Sequence, residues 1–428
     1  MGQGGWTRSL LAALAAAAAA GCSGLPNERT FPDAAPNAGG GASGGDPSGG
    51  MSGARDAGHD QATVGTDAGA DHGSDRGAGG ADAVSDADPC GPGPVGSAPW
   101  SEVTAPPELA DAGINDVWAA GPQDLFVVGS VYQGGGVGTP ELWTSHLMHW
   151  NAANGWRDEL VVPVFLRSVS GTAVADAWAV ADSNVYHRDG IGWESVALPP
   201  EAPAPGLRKV QAMSATDVWF LGTSSLIHLQ GSDWSSFQLL QPDPTGLSTR
   251  WFGTFWVEGP NDLWMSVDTE WVGSTMPPVF LAHFDGAALT LDPAFLWIAT
   301  VSSMWGADGS GFWFTEPGFY EFSDGEYRIP ALRRHDGTAT TSDVFIAGTI
   351  DPEHSVDLTA VWGAASDDVW AVGSSGYPIQ GVVSHFDGLC WRLVTNAPAA
   401  DQHNLVTGEA SSVWIVSDGP RFFRLAPR

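Results

Sequence analysis

Short segments in which apolar and polar residues alternate follow one another from Trp100 to the end of the chain. Alternation with a period of two predicts half-buried β-strands, and the Gly, Pro, Asn and Asp residues between the segments predict turns. The clearest unit, residues 358–394, contains four such segments, and Asp387-Gly388 is typical of a hairpin turn between the last two. The pattern therefore predicts an all-β domain made of four-stranded units.

The four-stranded unit recurs at intervals of about 40 to 57 residues, which is the period of the blades in a β-propeller. An aromatic residue marks the second strand of each copy, and the seven copies place it at Phe126, Trp178, Trp219, Trp264, Trp313, Trp370 and Trp414. The fourth strand is expected at Trp156, Trp193, Trp234, residues 287–291, Tyr327 and Trp391. This assignment leaves the seventh blade one strand short.

Residues 100–106 have the pattern of a fourth strand, and we expect them to complete the seventh blade and close the ring. Closure removes the exposed sheet edge that an open array would present. Residues 343–348 resemble an additional second strand, which we interpret as an insertion, with an eighth blade as the alternative. The predicted fold is a seven-bladed β-propeller over residues 96–428.

The first 95 residues have a different composition. Residues 22–95 are dominated by Gly, Ala, Asp, Ser and Pro, which cannot bury enough apolar surface to offset the entropy of ordering, so we predict a disordered tether. In residues 1–21, Arg8 precedes the apolar run 10–20, which is too short to span a bilayer as a stable helix. These features predict a signal peptide.

The end of the predicted signal peptide, residues 19–22 with the sequence Ala-Ala-Gly-Cys, resembles the lipobox of lipoproteins from Gram-negative bacteria. The resemblance implies that Cys22 becomes the lipidated first residue of the mature chain and attaches it to a membrane of the cell envelope. Ser23 stands where an inner-membrane retention signal would have aspartate. The outer membrane is therefore favoured, on its periplasmic side or at the cell surface.

Export to an oxidising compartment permits disulfides, and two further cysteines remain after Cys22. We predict that Cys90 and Cys390 pair. The alternatives are two separate thiols or an intermolecular bond.

The chain has 17 basic and 49 acidic residues and a formal net charge of -32. It has no basic stripe that could displace the counterions of a phosphate backbone, which excludes nucleic-acid binding. We expect a soluble monomeric propeller whose partners are the membrane, through Cys22, and a polysaccharide or protein.

The repeat at residues 174–193 is similar to the repeats of tectonins, a group of tryptophan-rich β-propellers. Members of that group bind surface polysaccharides or lipopolysaccharide, so the resemblance implies recognition of a glycan. Most repeats of this chain are longer than those of tectonins and carry an aspartate before the aromatic residue of the second strand.

Histidine recurs in the third strand of five blades, at His149, His187, His228, His283 and His385. Equivalent positions in neighbouring blades lie about 10 Å apart, too far to share a metal ion. We therefore predict a structural hydrogen bond at the turn into the fourth strand, no metal site and no cofactor. The tryptophans are predicted to pack between blades.

The longest connections between strands all fall on one face of the predicted disc, because strands in a blade alternate in direction. They carry the aromatic and acidic residues Tyr132, Trp143, Trp271, Tyr377, Glu141, Asp268 and Glu270. Aromatic rings can stack on sugars while carboxylates bind hydroxyl groups, so these residues form the predicted ligand site. The alternative is that the aromatic side chains fold back onto the propeller.

The chain shows no convincing nucleophile with a base, no paired carboxylates on one element and no metal-ligand spacing. We therefore predict a binding module for an envelope polysaccharide and name no catalytic residue. The alternatives are a protein-interaction scaffold in the envelope and a propeller hydrolase or lyase that uses acidic residues.

Overall fold

The computed structural model describes residues 99–136, 139–199, 206–239, 250–269, 279–298, 300–307, 309–316, 319–320, 327–328, 331–337, 340–341, 356–375, 379–409 and 412–425. All of them belong to Asp82–Arg428, the second of two compact units in the chain. The predicted signal peptide, the tether, Cys22 and Cys90 lie outside the described residues. Their assignments, and the pairing of Cys90 with the buried Cys390, stay predictions.

The described strands form seven antiparallel four-stranded sheets, which are the blades of the propeller. Blade 1 consists of β2 Gly113–Gly121, β3 Asp124–Gly136, β4 Thr139–Asn151 and β5 Gly155–Val162. Blade 2 consists of β6 Leu166–Ala173, β7 Asp176–Ala181, β8 Asn184–Arg188 and β9 Trp193–Val196. Blade 3 consists of β10 Lys209–Ser214, β11 Asp217–Leu221, β12 Leu226–Gln230 and β13 Asp233–Phe237. A short 3-10 helix, Pro107–Leu109, precedes blade 1.

The second half of the ring repeats this order. Blade 4 consists of β14 Arg250–Gly259, β15 Asp262–Thr269, β16 Val279–Phe284 and β17 Leu289–Ile298. Blade 5 consists of β18 Ser303–Gly306, β19 Phe312–Glu316, β22 Ala331–His335 and β23 Thr340–Thr341, and its insertion is the hairpin β20 Phe319–Tyr320 and β21 Tyr327–Arg328. Blade 6 consists of β24 Val356–Ala365, β25 Asp368–Ser375, β26 Gln380–Phe386 and β27 Trp391–Leu393.

Blade 7 joins the two ends of the described chain. Its first three strands are β28 His403–Glu409, β29 Ser412–Ser417 and β30 Arg421–Leu425, and its fourth, outer strand is β1 Trp100–Val103. The first strand of each blade contacts the first strands of the two neighbouring blades and is called the inner strand. Arg421 donates through Nε and Nη2 to the two carboxylate oxygens of Glu102, at 3.0 and 3.2 Å. The predicted closure of the ring by the N-terminal strand is confirmed.

The prediction that Tyr327 begins the fourth strand of blade 5 is wrong. Tyr327 pairs with Tyr320 in the inserted hairpin between the second and third strands. The third strand, β22, contains Arg333 and Arg334 side by side, so its hydrophobic alternation is weak and the pattern passed over it. The predicted strand at residues 343–348 lies outside the described residues, and the seven sheets account for the ring.

Four of the seven inner strands carry a tryptophan that packs on a glycine of the next inner strand. The pairs are Trp118 with Gly171, Trp256 with Gly306, Trp305 with Gly363 and Trp362 with Gly408. A Cβ atom at Gly363 would lie 2.5 Å from the ring of Trp305, closer than real Cβ contacts, so only glycine fits there. The tryptophan rings therefore set the spacing between neighbouring blades.

The other three interfaces between inner strands use the same two positions differently. A polar side chain replaces the tryptophan and accepts a hydrogen bond from the backbone N–H at the glycine position. The donors and acceptors are Val257 N and Gln211 Oε1 at 3.1 Å, Ala212 N and Ser170 Oγ at 3.2 Å, and Ala119 N and Thr407 Oγ1 at 3.4 Å. All seven interfaces between inner strands thus follow one rule, called here the inner-strand rule. Either a tryptophan ring packs on a glycine of the next inner strand, or a polar side chain accepts a hydrogen bond from the backbone N–H at that position.

Within five blades, the recurrent histidine stacks on the aromatic residue of the second strand and forms a hydrogen bond with the aspartate at the start of that strand. The Nε2 to Oδ1 distances are 2.7 to 2.9 Å in the pairs His149–Asp124, His187–Asp176, His228–Asp217, His283–Asp262 and His385–Asp368. The centroid of the Trp219 ring lies 3.7 Å from that of His228. The predicted structural hydrogen bond is present, but it anchors the second strand rather than the turn into the fourth.

Blades 5 and 7 carry arginine where the other blades carry this histidine. The guanidinium groups lie over the second-strand rings, Arg334 at 5.6 Å from Trp313 and Arg424 at 5.7 Å from Trp414. In both blades the aspartate is replaced as well, by Gly311 and Ser412, and in blade 7 Arg424 Nε donates to Ser412 Oγ at 3.2 Å. Both partners change together, so a cationic group over an aromatic ring replaces the histidine stack.

We predict that Gly363→Ala destabilises the propeller by about 1 to 3 kcal/mol, because the added methyl group overlaps the rigid Trp305 ring. The measurement is the free energy of unfolding in urea. Gly259→Ala is the matched control, since a Cβ atom there would meet no atom within 4 Å. Equal stability of the two variants would contradict the inner-strand rule.

Candidate functional site

The face that carries the long connections is here called the upper face; it holds the links from second to third strands and from each blade to the next. On this face the hairpin of β3 and β4 continues beyond the rest of blade 1, and it places Tyr132 opposite Trp143. Gly134 and Gly135, with φ values of 132° and 139°, lie near the end of β3 where the register of the two strands shifts. The hairpin is the element that positions the predicted aromatic residues.

Three aromatic side chains form a continuous patch at the base of this hairpin. The ring centroids of Tyr132 and Trp143 lie 5.0 Å apart, and those of Trp143 and Phe165 lie 4.7 Å apart, both in edge-to-face geometry. Tyr132 is 49% exposed. Trp143 and Phe165 are half-buried. We call Tyr132, Trp143 and Phe165 the aromatic patch, which presents part of its apolar surface to solvent.

Polar groups surround the aromatic patch. Trp143 Nε1 donates to Glu141 Oε2 at 3.1 Å, which fixes the indole ring and holds a carboxylate beside it. The Arg167 guanidinium lies 5.0 Å from the centre of the Phe165 ring, and Arg167 Nε donates to Asp182 Oδ1 at 2.7 Å. Apolar rings edged by a carboxylate and an ion pair suit a ligand that has both apolar faces and hydroxyl groups.

The structure brings together only part of the predicted site. Tyr132, Trp143 and Glu141 are in contact, whereas Asp268 lies on blade 4. Trp271, Glu270 and Tyr377 lie outside the described residues and stay predictions. No sequence signal pointed to Phe165 and Arg167, because Phe165 belongs to the short link between blades 1 and 2 and Arg167 lies at the start of β6, and neither segment has an unusual composition.

Asp268 is a largely buried carboxyl group at the upper end of β15. Burial raises the pKa of Asp268 to about 6, against the opposing effects of a hydrogen bond from Trp251 and the charge of Arg208. Its Oδ1 atom is buried and makes no hydrogen bond within the described part of the chain. Asp268 is thus a proton-binding group in the range of mildly acidic pH.

A cluster of ionic groups around Glu159 joins blade 1 to blade 2. Glu159 Oε2 accepts hydrogen bonds from Arg188 Nε at 2.8 Å and Trp193 Nε1 at 3.1 Å, and Oε1 lies 3.2 Å from His149 Nδ1. Burial opposes ionisation, but these hydrogen bonds outweigh it and lower the pKa of Glu159 to about 2. A carboxylate held by three partners is a structural tie between blades rather than a catalytic acid.

Neither metal ligation nor membrane crossing is seen in the described residues. They hold no group of three or more His, Cys, Asp or Glu side chains arranged to bind a metal ion. No helix within the ranges given above is long and apolar enough to cross a membrane.

Comparison with known proteins identifies the fold. No protein-family model and no curated protein matches the chain, so the similarity to tectonin repeats stays a prediction. The chain is similar to the structure of YCF48 bound to D1 peptide, with a TM-score of 0.52, 12% identity, and coverage of 79% of this chain and 100% of that chain. At this identity the similarity shows the fold alone.

Two further solved structures are similar over shorter lengths. Regucalcin, a calcium-binding protein from Agrobacterium tumefaciens, has a TM-score of 0.37 and 12% identity and covers 59% of this chain and 86% of its own. Luciferin-regenerating enzyme has a TM-score of 0.38 and 9% identity and covers 58% of this chain and 87% of its own.

We predict that Asp268→Asn stabilises the protein at pH 7 by about 1 to 2 kcal/mol, because it removes a buried charge. The folded-state pKa is raised above 3.8, so wild-type stability falls as the pH rises from about 4 to about 6 and stays lower above that range. The free energies of unfolding of the wild type and of Asp268→Asn are measured in urea at pH 7 and at pH 4. The two proteins should be equally stable at pH 4. Asp111→Asn, at an exposed carboxylate with no ion pair among the described residues, is the control. A stability difference for Asp268→Asn that is the same at both pH values would contradict the assignment.

Proposed function

We propose that this protein is a binding module whose aromatic patch takes a neutral glycan. The observation that carries the proposal is the Tyr132–Trp143–Phe165 patch beside an elongated hairpin, in which Tyr132 is exposed and the other two rings are half-buried. The apolar faces of sugar rings stack on aromatic side chains, and Glu141 and the Arg167–Asp182 pair supply acceptors and donors for hydroxyl groups. The similarity of one repeat to those of tectonins supports the same ligand class.

The charge of the chain narrows the class of glycan. A net charge of -32 repels acidic polysaccharides at low salt, and Arg167, the cation that borders the patch, is already paired with Asp182. A neutral sugar chain avoids this repulsion. An extended protein segment is the second candidate, because YCF48, which has the same fold, was solved with a peptide bound.

We expect Tyr132→Ala and Trp143→Ala each to weaken glycan binding about tenfold, because each removes an aromatic face worth roughly 1.5 kcal/mol. The measurement is binding of the full chain to neutral and acidic glycan arrays, followed by calorimetry on the best ligand. Ile191→Ala is the control, since Ile191 is 93% exposed and lies on the opposite face.

Two results would overturn the glycan proposal. One is a glycan that binds both patch variants as tightly as it binds the wild type. The other is binding to a peptide array and to no glycan, with loss of peptide binding in the patch variants, which would establish the protein segment as the ligand.

We further propose that Cys22 anchors the chain to the cell envelope through lipid, with the outer membrane as the favoured location. The lipobox-like sequence at residues 19–22 supports this proposal. Residues 22–95, whose composition predicts disorder, would serve as a flexible spacer between the membrane and the propeller. On this proposal the glycan is a component of the envelope or of the surface it faces.

Cys22→Ser should abolish incorporation of a labelled fatty acid and release the protein from the membrane fraction, because the lipidated thiol is lost. The measurements are fatty-acid labelling in cells and fractionation. Cys90→Ser is the matched control and should retain the label. Equal labelling of the wild type and Cys22→Ser would disprove lipidation at Cys22.

A further inference from the structure

The seven inner strands enclose a central cavity of about 170 Å³. Its lining is uneven around the ring. The strands of blades 1 to 3 contribute the polar residues Asp116, Ser168, Lys209 and Gln211, and those of blades 4 to 6 contribute Trp256, Trp305 and Trp362. The cavity therefore has a polar side and a side rich in indole rings.

Lys209 is the only lysine in the 428 residues of the chain, in which every other basic residue is an arginine. Lys209 lies two residues before Gln211, which occupies the inner-strand position that contacts the next blade. The residues at this place in the other six inner strands are Asp116, Ser168, Thr254, Ser303, Ala360 and Leu405. One compact ammonium group is thus placed in the central cavity of a strongly acidic protein.

The polar neighbours of Lys209 are committed to the propeller itself. Asp116 Oδ2 accepts hydrogen bonds from Ser168 Oγ at 2.6 Å and Val169 N at 3.1 Å, and Oδ1 accepts one from Val117 N at 2.9 Å. Gln211 binds Val257 through both ends of its amide. The bonds to Ser168, Val169 and Val257 tie neighbouring blades together. Burial raises the pKa of Asp116 and the charge of Lys209 opposes this effect, so the ammonium lies near that carboxyl. Among the residues that the structure describes, Lys209 is the one cation that lines the cavity, and it is the group that the cavity offers to an anion.

We propose that the central cavity binds a small monoanion with an apolar ring, its carboxylate on Lys209 and its ring against the tryptophan side. A cavity of roughly 150 Å³ holds one benzene-sized molecule, so the volume fits a ring carboxylate. An ion pair is stronger inside a cavity than in water. The cavity shares no residue with the aromatic patch, so this site does not depend on the proposed glycan site.

The single lysine makes a direct test available. Reductive methylation of the full chain with ¹³C-formaldehyde labels one lysine side chain, Lys209, and keeps its positive charge. Benzoate is the test ligand and benzyl alcohol its neutral counterpart of similar size. We expect benzoate to shift the dimethyl-lysine NMR signal saturably and benzyl alcohol to leave it in place.

Calorimetry with benzoate on the unmodified chain gives the second measurement. Lys209→Met keeps the length of the side chain and removes its charge. We expect this variant to bind benzoate about tenfold more weakly than the wild type, because it loses one charge-assisted hydrogen bond. Tyr132→Ala should bind benzoate as the wild type does, which separates this site from the glycan site.

Three results would overturn the proposal. They are equal shifts with benzoate and benzyl alcohol, unchanged benzoate affinity in Lys209→Met, and failure of Lys209 to react under native conditions. The last result would show that the cavity is closed to small molecules.

Discussion

The contact between each inner strand and the next is the constraint on which the propeller depends. A tryptophan packed on a glycine fixes the distance between two blades through the thickness of an aromatic ring, and a side chain bonded to a backbone N–H fixes it through hydrogen-bond length. Both devices act at the same two positions of the repeat. The ring can therefore close with seven blades although their sequences differ.

A second regularity holds each blade together away from the centre. Where an aspartate begins the second strand, a histidine in the third strand bonds to it and stacks on the aromatic residue between them. Where serine replaces aspartate in blade 7, arginine replaces histidine. The recurrent histidines and ten of the 21 tryptophans are accounted for by these packing roles. The candidate sites rest on residues that depart from the repeat, such as Tyr132, Phe165 and Lys209.

The number of blades and the closing strand could be predicted because each depends on local alternation and on anchors such as Trp178 and Trp370. The third strand of blade 5 could not, since Arg333 and Arg334 hide its alternation. Tyr132 and Trp143 could be placed on one face because they share a hairpin. Phe165 and Lys209 could not be recognised as site residues, because their neighbours belong to different blades and proximity across blades leaves no periodic signal.

Closure of the ring also dictates the order in which the molecule can be assembled. Six blades consist of residues close together in the chain, whereas the seventh pairs Ser101 with Arg424, 323 residues later. Contacts of such long sequence separation form slowly, since a large loop must close first. Blade 7 stays incomplete until β30 has docked between β29 and β1, so a variant that lacks β30 exposes the edge of β29 and leaves β1 without its partner.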